Sequence, residues 1–121
     1  MVQTDISQTA AECADWRQAL RSYRDELSHD KKELESRCRS TLSKDQLHQV
    51  EHLQNQFHIQ LINIHDLKQA IKAHEHQLEA QPSPSEALLA HHEELYEKFA
   101  AMDATLQELR AEFNHFRSQT A

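Results

Sequence analysis

The chain contains no glycine and only two prolines, Pro82 and Pro84, in 121 residues. Average usage near 7% would supply roughly eight glycines. Tight β-hairpins, dinucleotide-binding fingerprints, phosphate-cradling loops and nucleophile elbows therefore lack the residue that tolerates their backbone angles. Aromatic residues make up 6% of the chain, and no run approaches the ~18 apolar residues of a membrane span. The opening Met1-Val2-Gln3-Thr4-Asp5 has neither the basic nor the apolar segment of a secretory leader. These absences predict a soluble, cytoplasmic protein with no membrane partner. Positive charge is scarce too. Thirteen Lys and Arg stand against 20 Asp and Glu, a formal charge of −7 that grows from −1 over residues 1–42 to −2 over 43–81 and −4 over 82–121. A basic stripe exists at Arg17, Arg21 and Arg24, but no aromatics interleave with it and the remaining surface is acidic, which excludes nucleic acid as the partner.

What remains is rich in Leu, Ala, Glu and Gln, with a mean hydropathy of −0.83, the composition of long amphipathic helices with wet outer faces. A chain of this length has room for one domain, residues 1–121. Two start signals punctuate it. Ser43-Lys44-Asp45-Gln46 is an S-x-x-Q capping box, with Leu42 and Leu47 placed as a hydrophobic staple. In Ser83-Pro84-Ser85-Glu86, Ser83 can cap, Pro84 takes the first helical position and Glu86 can reach back. Thr9-Ala10-Ala11-Glu12 repeats the pattern near the amino terminus, with Asp5 or Ser7 as starts one turn earlier.

Between these signals apolar residues recur at steps of three and four. The first segment carries Cys13, Trp16, Leu20, Tyr23, Leu27, Leu34 and Cys38; the second, Val50, Leu53, Phe57, Leu61, Ile64, Leu67, Ile71 and Leu78. The third runs Leu88, His92, Leu95, Phe99, Met102, Leu106, Leu109, Phe113 and Phe116. This periodicity predicts an all-α fold: an elongated antiparallel up-down-up three-helix bundle with coiled-coil-like packing and helices over roughly 9–40, 44–80 and 84–118. In that topology Arg17, Arg21 and Arg24 lie at the same end as Glu86, Glu93, Glu94 and Glu97, and cross-helix pairing between the two sets is expected. Cys13 and Cys38, 25 residues apart on one helix, are separated by ~37 Å and cannot bridge, so both read as small apolar side chains in a reducing compartment.

The second helix is apolar nearly all round between Phe57 and Ile64. With its seam on Val50, Phe57, Ile64 and Ile71, Ile59 and Ile62 fall on the opposite side. A second copy of the chain meeting there would cover them, giving a two-fold homodimer through the middle of that helix. His58 and His65 flank the contact, and their protonation near pH 6 is expected to loosen it by like-charge repulsion.

Ten histidines are the chain's most unusual count. His48, Glu51 and His52 spell H-x-x-E-H, a zinc-peptidase pattern, yet both imidazoles project away from the seam, where no cleft is implied. Glu112 and His115 form a single E-x-x-H, where a carboxylate-bridged di-iron bundle needs that pair on two helices plus further carboxylates. One constellation depends on the fold: antiparallel packing stacks the start of the first helix on the end of the second and the start of the third, which gathers Cys13, His74 and His92. A thiolate and two imidazoles, with His91 or Glu79 nearby, are the donors of a tetrahedral zinc site. No residue set supplies an activated nucleophile, paired carboxylates across a cleft or a phosphate pocket. The sequence thus predicts a non-enzymatic helical module that binds a protein partner or itself and carries no cofactor. The alternative is a metal-binding or metal-sensing bundle holding zinc on Cys13, His74 and His92.

Overall fold

A computed structural model describes residues 6–38, 41–81, 83 and 85–120. Three helices account for nearly all of them: α1 (Ile6–Arg37), α2 (Lys44–Glu79) and α3 (Glu86–Gln119). Their 32, 36 and 34 residues correspond to rods of about 48–54 Å. They pack as the antiparallel three-helix bundle that the periodicity predicts, with no strand among the described residues. Both α1 and α3 lie closer to α2 than to each other, so the α1–α3 seam is spanned mainly by long side chains.

The first reversal follows the capping box. Ser43 is extended (φ −70°, ψ 167°); its Oγ accepts from Gln46 N at 3.1 Å, and Gln46 Oε1 accepts from Ser43 N at 2.8 Å. A cap of this kind stabilises a helix by about 1 kcal/mol. The staple expected beside it does not close: Leu42 packs on the core, but Leu47 is 48% exposed. At the second reversal the cap is Ser85, not Ser83, with Ser85 Oγ accepting from Leu88 N at 3.2 Å. The Ser-Pro-Ser run offers two caps two residues apart, and use of the later one starts α3 at Glu86; Pro84 lies outside the described residues. At the amino terminus the expected box at Thr9 and Glu12 is no cap either. The helix has begun by Ile6, Thr9 is fully buried within it, and Asp5 lies outside the described residues.

The three seams supply the core. Leu20, Leu27 and Leu34 of α1, Phe57, Ile64 and Ile71 of α2, and Leu95, Phe113 and Phe116 of α3 are all at most 2% exposed. Each contributes about 1.5–3 kcal/mol by leaving water. Tyr23, Leu61, Phe99 and Met102 pack on the same core while half-buried. The gap in the α1 seam between Leu27 and Leu34 is occupied by Asp30, 2% exposed, whose Oδ2 accepts from Arg110 Nε at 3.1 Å. That guanidinium gives the buried side chain the partner its desolvation calls for.

The expected pairing of Arg17, Arg21 and Arg24 with the acids of early α3 is not what forms. Arg17 turns to α2, where it meets both carboxylate oxygens of Glu75, at 2.5 and 3.1 Å, and Arg24 meets its neighbour Asp25. The α1–α3 ion pairs among the described residues have the opposite polarity: Arg110 with Glu26 and Asp30, and Arg117 with Glu33. Early in the α1–α3 seam Trp16 packs against Tyr96 and Phe99, with ring centroids 6.2 Å apart in both cases, so the contact there is aromatic.

Candidate metal centre

Three seam positions at one end of the bundle carry side chains that are not hydrocarbon. Cys13 stands three residues before Trp16 on α1. His74 lies between Ile71 and Leu78 on α2, and His92 between Leu88 and Leu95 on α3, at steps of three and four. The heptad-like phase of each helix therefore turns all three inward, and the antiparallel order brings them to one level. Cys13 is fully buried, His74 1% exposed and His92 7% exposed.

One donor atom from each lies within 4.8 Å of the others, which makes this the one group of three or more His, Cys, Asp or Glu among the described residues close enough to share an ion. His74 Nε2 is 3.1 Å from His92 Nδ1, and Cys13 Sγ is 3.9 Å from the same nitrogen. In a tetrahedral zinc site, with Zn–N near 2.1 Å and Zn–S near 2.3 Å, two nitrogens stand ~3.3 Å apart and a sulfur stands ~3.6 Å from a nitrogen. Both measured edges are within a few tenths of an ångström of those values, and the remaining edge, at most 4.8 Å, has to close by no more than about 1.2 Å. The structure thus brings Cys13, His74 and His92, the three residues singled out in the sequence, to one place.

Two features bear on what the cluster can do. His92 Nε2, the ring nitrogen away from the cluster, lies 3.1 Å from Glu12 Oε2, so the carboxylate accepts that N–H and leaves the Nδ1 lone pair facing Cys13 and His74. This carboxylate–imidazole arrangement is the one that orients histidines toward metals. Glu12 is the residue the sequence argument missed. It sits off the seam and had a plausible reading as half of a capping box; its place beside Cys13 was the available signal. The second feature is His74 Nδ1, buried and without a hydrogen-bond partner among the described residues. The His91 ring stands edge-to-face with that of His74, centroids 5.0 Å apart, while His91 Nδ1 is directed to Glu94 at 3.5 Å. Glu79, the other expected neighbour, is exposed and outside the cluster.

In the absence of a cation, burial disfavours the charged forms of His74 and Cys13. Burial, aided by the nearby His92 and His91, pushes the His74 pKa down to about 4, so at pH 7 its ring is uncharged and has a free lone pair. Burial first, then the Glu75 and Glu12 carboxylates, push the Cys13 thiol up to about 12, against a smaller opposing effect of Arg17. A divalent ion reverses that balance by replacing the thiol proton, so binding releases a proton.

The other histidine motifs do not assemble a comparable site. His48 and His52 are both exposed, and His52 Nε2 instead meets Glu112 Oε2 at 3.1 Å across the α2–α3 surface. His115 lines the same shallow groove, but its Nε2 is 3.2 Å from Gln119 Nε2. A larger groove between α2 and α3, about 380 Å³, is lined by residues such as Asn63, Asp66, Lys98 and Met102 and includes none of the metal-donor candidates. Ile59 and Ile62 are 37% and 47% exposed, with His58 and His65 exposed beside them. Both cysteines are free thiols. No helix among the described residues is long and apolar enough to cross a membrane. No family model, curated protein or solved structure matches the chain.

Proposed function

We propose that this protein binds a transition-metal ion, zinc in the first instance, through Cys13 Sγ, His92 Nδ1 and His74 Nε2. The observation that carries the reading is the convergence of three buried donors, one from each helix, on a common point with edge lengths near those of a zinc site. Scattered surface histidines bind metals weakly and cost nothing to keep. Two imidazoles and a thiol in core seam positions displace apolar side chains from the interior, and an ion that uses their lone pairs offsets that loss. Because the ligands come from three helices, occupancy ties α1 to the α2–α3 hairpin. No reaction is assigned to the site; the reading is of binding, with stability or signalling as its outcome, in a reducing cytoplasm where both thiols stay unpaired.

Metal analysis of protein prepared without an affinity tag, followed by zinc titration and thermal melting, tests it. One zinc per chain and a raised Tm are expected, both lost in Cys13→Ala. A melting temperature unmoved by stoichiometric zinc overturns it.

A second reading is favoured by the exposure of Ile59 and Ile62 on the outer face of α2: the chain pairs with a second copy, or with another helical protein, across that face. Sedimentation at pH 7.5 is expected to give twice the monomer mass, falling to the monomer in Ile62→Glu. A monomer for the unmodified chain removes self-association.

A further inference from the structure

We infer that Glu12 sets the charge of this site and so selects a divalent ion over a monovalent one; the inference rests on the metal-binding reading above. The donors themselves do not discriminate strongly, since one thiolate and two imidazoles suit cuprous ion as well as zinc. Charge does. Two carboxylates reach the cluster. Glu75 is already neutralised, with both of its oxygens held by the Arg17 guanidinium. Among the described residues Glu12 meets no Lys or Arg; its hydrogen bond is to His92 Nε2 at 3.1 Å, and an imidazole whose Nδ1 holds a metal is itself neutral. With the Cys13 thiolate, the metal-loaded site therefore carries two uncompensated negative charges. A divalent ion brings the group to zero. A cuprous ion leaves it at −1, in surroundings where Cys13 is fully buried and the His92 side chain is 9% exposed. A net charge placed there costs solvation that a neutral assembly does not lose.

Glu12 cannot be a ligand in this arrangement. It binds the ring nitrogen opposite the one that faces the metal position, so it acts through His92 as a positioning and charge-setting residue. These two roles come apart in a pair of variants. Glu12→Gln keeps an oxygen to accept the His92 N–H and removes the charge; Glu12→Ala removes both. The Glu12 side chain is 36% exposed, and neither change opens the core.

The experiment measures zinc affinity by competition with a chromogenic chelator, and cuprous affinity by competition under anaerobic reducing conditions, for the unmodified chain, both Glu12 variants and Glu94→Gln as a control. Zinc affinity is expected to fall about 10-fold in Glu12→Gln, the lower end of the loss usual for a changed outer-shell partner, because the amide oxygen still accepts the His92 N–H. Cuprous affinity should hold or rise in the same variant, so that the preference between the two ions shifts, while Glu94→Gln matches the unmodified chain. Glu12→Ala should lose zinc affinity at least as far. If Glu12→Gln binds both ions as the unmodified chain does, the charge role is overturned and the metal site stands. If the unmodified chain binds neither ion, the metal-binding reading fails and this inference with it. Helical circular dichroism of the metal-free variants, expected to be unchanged, separates either result from misfolding.

Discussion

At the end of the bundle where α1 stops and α2 starts, the interior is hydrocarbon: Leu34, Val50, Leu53, Phe57, Phe113 and Phe116, with Phe57 and Phe113 meeting edge-to-face at 5.5 Å. At the other end equally buried seam positions hold a thiol and two imidazoles. Both ends have the same helical periodicity and the same degree of burial, and they are stabilised differently. The apolar end needs only area and close packing. The polar end gains less from leaving water, and its polar atoms are satisfied only in part, as His74 Nδ1, without a partner among the described residues, shows. The contrast teaches that burial alone does not tell a filler residue from a functional one; the test is whether hydrocarbon would have served the position better.

The contrast can be attacked first at the apolar end. Phe113→Ala is expected to destabilise by about 3–5 kcal/mol in urea unfolding, with the same loss whether zinc or chelator is present. A loss that depends on zinc would mean the ends are not independent. At the polar end, zinc at about a thousand times its Kd should add about 4 kcal/mol to the unmodified chain and none to His92→Ala, read from melting curves. An equal zinc effect in both proteins would erase the distinction between the ends.

The middle of the rod sharpens the comparison, because Asp30 is a buried polar group with its partner in place. Arg110→Ala strands that carboxylate and is expected to cost about 2 kcal/mol. This is below the usual loss for a broken buried pair because the arginine is 41% exposed. Replacing both residues by leucine should be close to neutral, and a large loss in that double variant would show that the pair does more than satisfy itself.

The smallest effect concerns Tyr23, whose hydroxyl donates to Asp103 at 2.5 Å. Burial and that carboxylate push the tyrosine pKa up to about 12. The unfolded chain releases this proton from about pH 10 and the folded chain only near 12, so raising the pH through that window favours unfolding. Tyr23→Phe should therefore be about 1 kcal/mol less stable at pH 8, with the gap narrowing in melts taken toward pH 11.5. A constant gap would place the hydroxyl's contribution elsewhere.

Much of this architecture was legible in the sequence because it rests on periodicity and on one strong cap. The three stripes and Ser43 with Gln46 specify helices and a reversal without reference to anything distant. From them the meeting of Cys13, His74 and His92 follows by counting residues from the turns. What could not be read depends on side-chain direction across the bundle. Asp30 looked like a break in a stripe, since its partner Arg110 is 80 positions away. Arg17 pairs with Glu75 of α2, a choice between neighbouring helices that charge counting along the chain cannot make. Ser83 and Ser85 are chemically equal caps. Glu12 lies off the stripe, and only the actual rotation of α1 brings it to His92.

The single tryptophan of the chain, Trp16, lies over the His92 ring with centroids 4.8 Å apart. Its emission has one origin and one nearest chemical neighbour. Whatever arrives at that imidazole, a proton or an ion, changes the electric field and the quenching felt by the indole. The protein therefore carries its own optical gauge of the site, readable in dilute solution with no label attached.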